Sequence, residues 1–308
     1  MSLMSFCWLP QRGVLSVSGM ERRSFLQALV SNDVNKVSAT SSIYAALLTP
    51  QGKFLHEFFI TEIEECLLLE TESARLDALR TQLTRFQLRA QVSLTIPLEL
   101  AVAVAFGSGI TAALNLGNTR NMCRLMGRGI AYIDPRLPEG GIRFIGTKDT
   151  LVNTFKEIGC CEVGCATYEK VRLTYGLPDG SRDIAIGRAG LLEYGFEELN
   201  GIDFHKGCYV GQEVVSRSKY RSLLKRRSVP VLIDGPVPTL GTRLFLEQQE
   251  AGEMLSSVDD IGLSLVKIEF LRKAQHTCQP FRAGTTRLIP RLPAWLVLPN
   301  VPSGRQSI

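Results

Sequence analysis

The sequence lacks the features that mark membrane proteins, secreted proteins and multi-histidine metal centres. Its 308 residues contain no run of eighteen or more apolar residues, so no membrane-spanning helix is expected. The first residues show no basic stretch followed by an apolar core, and no secretory signal peptide is therefore predicted. Histidine is rare, with His56, His205 and His276 alone, which argues against a metal site built from several histidines.

Cysteine occurs eight times but is not arranged as a disulfide framework. Scattered cysteines of this kind are typical of a reducing, cytoplasm-like compartment. The one cluster, Cys160-Cys161 with Cys165, lacks the C-x-x-C spacing of a zinc site and has no histidine nearby. We therefore predict small apolar side chains there and no bound metal.

Acidic residues are absent from one stretch of an otherwise balanced chain, whose formal net charge is +5. The segment from Ser216 to Ser228 contains six basic residues: Arg217, Lys219, Arg221, Lys225, Arg226 and Arg227. Two interpretations stay open. The stretch is a solvated junction between a helix and a strand, or it is a seat for an anionic ligand such as a polycarboxylate tail or a phosphate backbone.

Hydrophobic residues make up 45% of the chain and charged residues 21%, which is ordinary for a globular protein with a large core. Alternating apolar residues predict strands over 43–49 and 54–61, and Pro50-Gln51-Gly52-Lys53 between them predicts a hairpin turn. Apolar residues at helical spacing predict helices over 73–86 and 166–175. The N-terminal part is therefore expected to be α+β with antiparallel strands.

The character of the sequence changes near residue 227. Short β-rich segments separated by Gly, Pro and Asp predict a small β-barrel or sandwich, with a late strand over 295–298. We predict an α+β region over residues 4–226, built from two subdomains, a C-terminal β-barrel domain over 227–300, and a frayed tail over 301–308.

Eight consecutive residues, from Lys206 to Glu213, have the composition of a functional site. The segment reads Lys-Gly-Cys-Tyr-Val-Gly-Gln-Glu and is expected to lead into a short helix near Gly211. Its glycines allow a tight turn and close approach to another group. The amide of Gln212 and the carboxylate of Glu213 suit the N–H-rich edge of a pterin or a purine, while Tyr209 offers a surface for a flat ring.

The thiol of Cys208 is the group in this segment best suited to covalent or metal chemistry. It lies between Lys206 and the predicted start of a helix, and both features favour a reactive thiolate. The competing interpretation is a buried cysteine that fills a turn. The residues alone do not decide between the two.

The same eight residues, followed by Val214-Val215-Ser216-Arg217, resemble the signature of the YgfZ-type folate-binding proteins. That family belongs to the superfamily of the glycine-cleavage T-protein, an aminomethyltransferase. Weaker similarity to the family surrounds Tyr168 and Arg172, the hairpin over 46–53, and the segments over 252–257 and 262–266. The resemblance covers nearly the whole chain, although only the central segment is specific by itself.

This resemblance implies a T-protein-like ring of α+β subdomains around a central channel, closed on one side by the β-barrel. It implies tetrahydrofolate or a one-carbon derivative as the cofactor. It also implies a role in the synthesis or repair of iron–sulfur enzymes, including those that modify tRNA, with these client enzymes as partners. The expected location is the cytoplasm, or the mitochondrial matrix in a eukaryote.

The resemblance also suggests which residues form the site. Lys206 and Cys208 are the candidates for chemistry. The candidate folate contacts are Tyr168, Arg172, Glu193, Tyr209, Gln212, Glu213 and Arg217.

Two departures from the T-protein pattern weigh against aminomethyl transfer, which we keep as the alternative function. Where T-proteins carry an acidic pair, this chain has His56-Glu57, and where they carry a pterin-binding glutamate it has Thr174. Whether the chain is an enzyme therefore stays open. Direct binding of nucleic acid is not expected, because Tyr220 is the only aromatic residue in the basic stretch.

Overall fold

The computed structural model describes residues 4–117, 119–221 and 224–299. These residues form two sheets with helices packed against them, followed by a closed β-barrel. The predicted tail over 301–308, and residue 300 at the predicted end of the barrel domain, lie outside the described residues. None of the helices in the described ranges is both long enough and apolar enough to span a bilayer.

The strands are β1 (Ser5–Trp8), β2 (Arg12–Ser18), β3 (Ile43–Leu48), β4 (Phe54–Ile63), β5 (Cys66–Glu72), β6 (Ser93–Thr95), β7 (Leu100–Phe106), β8 (Cys123–Met126), β9 (Gly129–Ile133), β10 (Ile142–Thr147), β11 (Cys161–Glu162), β12 (Arg226–Asp234), β13 (Arg243–Leu246), β14 (Gln249–Val258), β15 (Ile261–Lys267), β16 (Phe281–Ala283) and β17 (Thr286–Pro290). The helices are α1 (Arg22–Gln27), α2 (Leu76–Gln87), α3 (Ile110–Ala113), α4 (Lys148–Glu157), α5 (Cys165–Thr174), α6 (Gly180–Asp183), α7 (Gln212–Tyr220) and α8 (Ile268–Thr277).

The first sheet has the strand order β3-β4-β5-β2-β6, and all its neighbours are antiparallel. One face is covered by α2, which buries Leu76, Leu79 and Leu83 at the spacing that predicted the helix. The hairpin between β3 and β4 forms where the turn sequence predicted it. Gly52 there donates its N–H to the carbonyl of Thr49 at 2.9 Å.

The second sheet has the order β11-β1-β7-β10-β9-β8, with only the β1–β11 pair parallel. Helix α4 packs on it through Leu151 and Phe155, and the Phe155 ring stacks on Phe6 with 3.9 Å between ring centroids. Helix α5 follows this sheet in the chain and packs against β1 and against the strands β14 and β15.

The barrel has the order β12-β15-β14-β13-β16-β17 and closes because β12 pairs with both β15 and β17. It is fastened to the rest of the chain by side chains from both parts. Trp295 donates its indole N–H to the carbonyl of Tyr175 at 2.7 Å, and Arg172 donates to the hydroxyl of Ser256 at 2.7 Å.

The predicted strand over 295–298 is wrong, since these residues form no strand. Instead β16 and β17 close the barrel. Pro290 and Pro293 flank the exit from β17 and remove backbone donors that a further ladder would need. The chain then crosses back over the end of α5, where Trp295 is fixed.

Candidate functional site

The segment from Lys206 to Glu213 forms a loop that runs into α7, as the sequence predicted. The start of the loop is held by Asp203. Its Oδ1 accepts the backbone N–H groups of His205 at 2.7 Å and Lys206 at 3.2 Å, and its Oδ2 lies 2.7 Å from the ammonium of Lys36. The loop is therefore a fixed structure at its entry.

Lys206 anchors the loop to the N-terminal part of the chain. Its Nζ donates to the carbonyl oxygens of Gln27, Val30 and Asn32 at 2.8, 2.7 and 2.8 Å. These carbonyls lie at and just after the end of α1, where a cation is electrostatically favoured. Burial of the side chain lowers the pKa of Lys206 to about 8. Its three hydrogens are thus donated to carbonyl oxygens, which gives Lys206 an anchoring role. The expected role of Lys206 as charge partner of Cys208 stays a prediction.

Tyr209 is directed into the protein, where only 7% of it is exposed. The ammonium of Lys206 lies 5.2 Å from its ring centroid, a cation–π contact between two members of the loop. Its hydroxyl is buried and has no hydrogen-bond partner among the described residues, and burial raises its pKa well above the ordinary value. Tyr209 therefore supports the loop from beneath, and its role as a folate contact stays a prediction.

Gly211 lets the loop and the β3–β4 hairpin approach closely. Its φ is +84°, and a Cβ placed on it would lie 2.6 Å from the carbonyl oxygen of Thr49 and 3.0 Å from the Cα of Gly52. A larger residue has no room there. The close contact explains why a glycine stands at this point of the loop and how the loop is held at its exit.

Cys208 is exposed, between the buried side chains of Lys206 and Tyr209. A Cβ on the neighbouring Gly207 would meet nothing within 4 Å, so the loop is also open at that position. The interpretation as a buried, turn-filling cysteine is therefore excluded. The loop holds a thiol at the surface on two buried anchors.

Three further candidate residues, Gln212, Glu213 and Arg217, lie on α7, the helix that follows the loop. Gln212 is half-buried at the start of α7, while Glu213 and Arg217 are exposed on it. Their roles as folate contacts stay predictions.

Tyr168 and Arg172 lie in the interior, far from solvent, on the buried side of α5. The Tyr168 hydroxyl lies 3.2 Å from both the Gly140 carbonyl oxygen and the guanidinium of Arg143. Arg172 makes ion pairs of 2.8 Å with Glu169 and with Asp183.

Arg12 is the centre of the ionic cluster beside Tyr168, a cluster that the sequence did not reveal. It lies 2.5 Å from Glu57, 2.9 Å from Glu70 and 3.1 Å from Asp179. Arg143 pairs with the same Glu70. The cluster joins β2, β4, β5, β10 and the loop before α6 where the two sheets meet α5.

The pKa values of two carboxylates in the cluster, Glu70 and Glu57, are shifted in opposite directions. Burial alone would raise the pKa of Glu70, but Arg143 and Arg12 beside it lower that pKa to about 2. Burial raises the pKa of Glu57, which Arg12 offsets only in part. One oxygen of Glu57 has no hydrogen-bond partner among the described residues.

Little space remains beside this cluster. The cavity lined by Arg12, Phe59, Tyr168, Arg172 and neighbouring residues has a volume of about 10 Å³. That is at the lower limit for a single water molecule. As the described side chains stand, a pterin does not fit here.

A much larger cleft lies between the β3–β4 hairpin, α7 and the barrel, with a volume of about 770 Å³. Glu193 lies in its wall. The Glu193 carboxylate accepts from the Gly190 N–H at 3.2 Å and pairs with Arg226 at 2.9 Å. Of the candidate folate contacts, Glu193 is the one that this cleft contains.

The two departures from the T-protein pattern are His56 and Thr174, and each has structural surroundings of its own. His56 is buried, and burial together with the nearby Arg75 lowers its pKa to about 3. Thr174 donates its hydroxyl to the Lys170 carbonyl at 2.7 Å on the exposed side of α5. Within residues 4–117, 119–221 and 224–299, no three His, Cys, Asp or Glu side chains are grouped to hold a metal ion.

The fold is that of an aminomethyltransferase. The crystal structure of glycine cleavage system aminomethyltransferase T from Bartonella henselae superposes with a TM-score of 0.71 over 94% of this chain and 85% of that one, at 15% identity. At this identity the likeness concerns the fold alone, and it confirms the predicted α+β architecture with a C-terminal barrel. Residues 225–298 match the family model described as the CAF17 C-terminal β-barrel domain.

Sequence relatives lie among mitochondrial iron–sulfur cluster assembly factors named IBA57. The mouse protein is 26% identical over 92% of this chain and 83% of its own length. The IBA57 homologues of Neurospora crassa and Mycosarcoma maydis are 28% and 30% identical over 75% and 72% of this chain. The aligned segments span 55% and 56% of those two proteins. The chain is thus IBA57-like, and the finer YgfZ-type resemblance stays a prediction.

Proposed function

We propose that the chain is an accessory factor in the assembly or repair of iron–sulfur proteins and acts in the mitochondrial matrix. The names of its relatives support the process and the compartment. The observation that carries the proposal is the exposed thiol of Cys208, held on a loop whose neighbours Lys206 and Tyr209 are buried.

A cluster would be cargo for this chain and not a resident group. Clusters are commonly held by four ligands, mostly cysteine thiolates, and the described residues contain no grouped set of ligands. Cys208 therefore supplies one thiolate, and a partner protein supplies the others. Because the loop is fixed at both ends, the sulfur is presented without the entropy cost of ordering a mobile segment.

The test compares Cys208→Ser with Cys278→Ser, a second exposed cysteine in the barrel half of the chain. Both are expressed in cells lacking this gene, and the activities of iron–sulfur enzymes are measured. We expect rescue by the Cys278 variant and none by the Cys208 variant, with equal levels of folded protein. Full rescue by Cys208→Ser would remove this thiol from the function.

The finer part of the proposal concerns the clients and the cofactor. We propose that the clients include enzymes that modify tRNA, which is tested by measuring methylthiolated nucleosides in tRNA from the same cells. We also propose that the chain binds tetrahydrofolate or a one-carbon derivative. The family resemblance supports this, and so does a cleft with the size of a ligand site. Calorimetric titration with tetrahydrofolate measures this binding directly. The absence of any heat of binding at millimolar ligand would contradict the proposal.

Aminomethyl transfer receives less support from the geometry. Glu57, the nearest acid to the position of the T-protein pair, is 1% exposed and lies 2.5 Å from Arg12. His56 beside it is buried and, with its low pKa, neutral at physiological pH. Methylene-tetrahydrofolate formation from an aminomethyl-loaded carrier protein would reinstate this function.

The basic stretch is also less available to RNA than its composition indicates. Lys219, Arg226 and Arg227 make ion pairs with Glu197, Glu193 and Glu198, respectively. Half of its cations are therefore partly neutralised within the protein. Salt-sensitive retention of RNA on a filter would contradict the expectation that nucleic acid does not bind directly.

A further inference from the structure

The interior site that the T-protein resemblance assigns to folate is filled by the protein's own charges. Arg12 is paired with three carboxylates, and Arg172 with two carboxylates and the hydroxyl of Ser256. Opening this site for a pterin would require several buried ion pairs to be broken at once. Each such break costs about 3–5 kcal/mol.

The cleft beside α7 has the opposite properties. Its volume of about 770 Å³ is within the range of sites for small molecules. Its walls come from the β3–β4 hairpin, the segment over 188–193, α7, the start of β12 and the start of α8. No buried ion pair has to be broken for a ligand to enter.

The cleft combines a cationic rim with an apolar floor. Lys53, Arg188, Lys225, Arg226 and Lys267 line it, against the two acids Glu193 and Glu269.

The cations at the rim that have no acidic partner among the described residues indicate the charge of the ligand. Lys53, Arg188 and Lys225 make no ion pair with any residue of the described ranges, whereas Arg226 is paired with Glu193. Unpaired cations on several sides of one cleft attract a ligand with more than one negative charge.

Buried apolar side chains form the floor below these cations. Leu192, Val215 and Ile268 are each 8% exposed or less. Such a floor suits a flat aromatic body, as in most small-molecule sites. The cleft therefore matches a ligand that has an aromatic body and a carboxylate tail.

We propose that this cleft, and not the interior beside Tyr168, is where the chain binds tetrahydrofolate. The glutamyl carboxylates meet Lys53, Arg188 and Lys225, and the ring system lies over the apolar floor. This inference rests on the proposed binding of folate, and it places the folate in the cleft in place of the interior site. It also predicts that added glutamates on the tail strengthen binding, since the unpaired cations number more than one.

The experiment is calorimetric titration of the full chain with tetrahydrofolate carrying one or three glutamates. The cleft variant is Lys53→Gln with Lys225→Gln. Its matched control is Arg221→Gln, because Arg221 is an exposed cation at the end of α7 that lies outside the cleft. The interior is tested by Tyr168→Phe, which removes one hydroxyl and keeps the ring. The thermal midpoint of each variant confirms that it is folded.

We expect the cleft variant to bind the triglutamate about fivefold to thirtyfold more weakly, from about two exposed charge pairs lost. The control and Tyr168→Phe should bind as the wild type does, and affinity should fall with salt. Loss of affinity in Tyr168→Phe or Arg221→Gln, or an unchanged cleft variant, would overturn the inference and leave folate binding itself standing. If the wild type binds neither ligand, the folate proposal fails together with the inference.

Discussion

Replacing Lys206 by methionine separates a structural role of this lysine from a chemical one. The side chain of methionine is of similar length and keeps the apolar contacts along the stem, but it has no hydrogens to donate. The three carbonyl oxygens of Gln27, Val30 and Asn32 then lose the ammonium that lies 2.7–2.8 Å from them. The loop of Cys208 loses its fastening to the end of α1.

The expected loss of stability follows from these three contacts. At about 1 kcal/mol for each lost hydrogen bond, the free energy of unfolding falls by about 3 kcal/mol. If the 308-residue chain unfolds as one unit, its thermal midpoint falls by about 5 °C. The alkylation rate of Cys208 by iodoacetamide should stay within about twofold or rise, because the lysine hydrogens are already donated to the three carbonyl oxygens.

Thermal and urea unfolding measure the first quantity, and mass spectrometry of the alkylated protein measures the second. Lys156→Met is the matched control, since Lys156 is exposed on α4 and should tolerate the change. A Lys206→Met protein that is as stable as the wild type, with Cys208 alkylated tenfold more slowly, would refute this reasoning. The lysine would then act on the thiol after all.

Three further outcomes are expected. Gly211→Ala should lower stability in urea by about 2 kcal/mol, because it forces a side chain into a left-handed backbone 2.6 Å from a carbonyl, whereas Gly207→Ala should be neutral. Glu70 has a pKa of about 2 in the folded protein and 4.5 ordinarily, so the stability of the wild type falls as the pH drops from 4.5 to 2. The free energy of unfolding of Glu70→Gln should be about 3–5 kcal/mol lower at neutral pH and should fall less steeply in acid. His56 has a pKa of about 3 in the folded protein and 6.5 ordinarily, so the wild type loses stability as the pH falls from 6.5 to 3. In His56→Leu the free energy of unfolding should fall less steeply over this range, and an unchanged slope would contradict the conclusion that burial lowers the pKa of His56.

The sequence predicted the parts of the fold that depend on local pattern. The hairpin at Gly52, the helix after Gly211 and the strands around them follow from turn chemistry and from apolar spacing, which are properties of a few neighbouring residues. The predicted strand over 295–298 does not form, because a β-rich composition alone does not supply a neighbouring strand with which to pair. The turn signal at Gly284, whose φ is +61°, was available and marks the hairpin that closes the barrel.

The candidate site was predicted less well, because its contacts join distant parts of the chain. Lys206 was assigned to its neighbour Cys208, but its carbonyl partners are 174 to 179 positions away. Arg12 gave no local signal at all, since its acids are 45, 58 and 167 residues from it. The exposure of Cys208 did not follow from the motif either, because the residues alone left a buried, turn-filling cysteine open.

Arg12 also has a consequence for how the chain can be made. All three of its carboxylate partners are in place only when β4, β5 and the segment around Asp179 have been synthesised and brought together. A growing chain that has passed β5 but not residue 179 holds an arginine with one acid missing. We therefore expect the first sheet, expressed without the segment around Asp179, to be less stable than it is in the full chain.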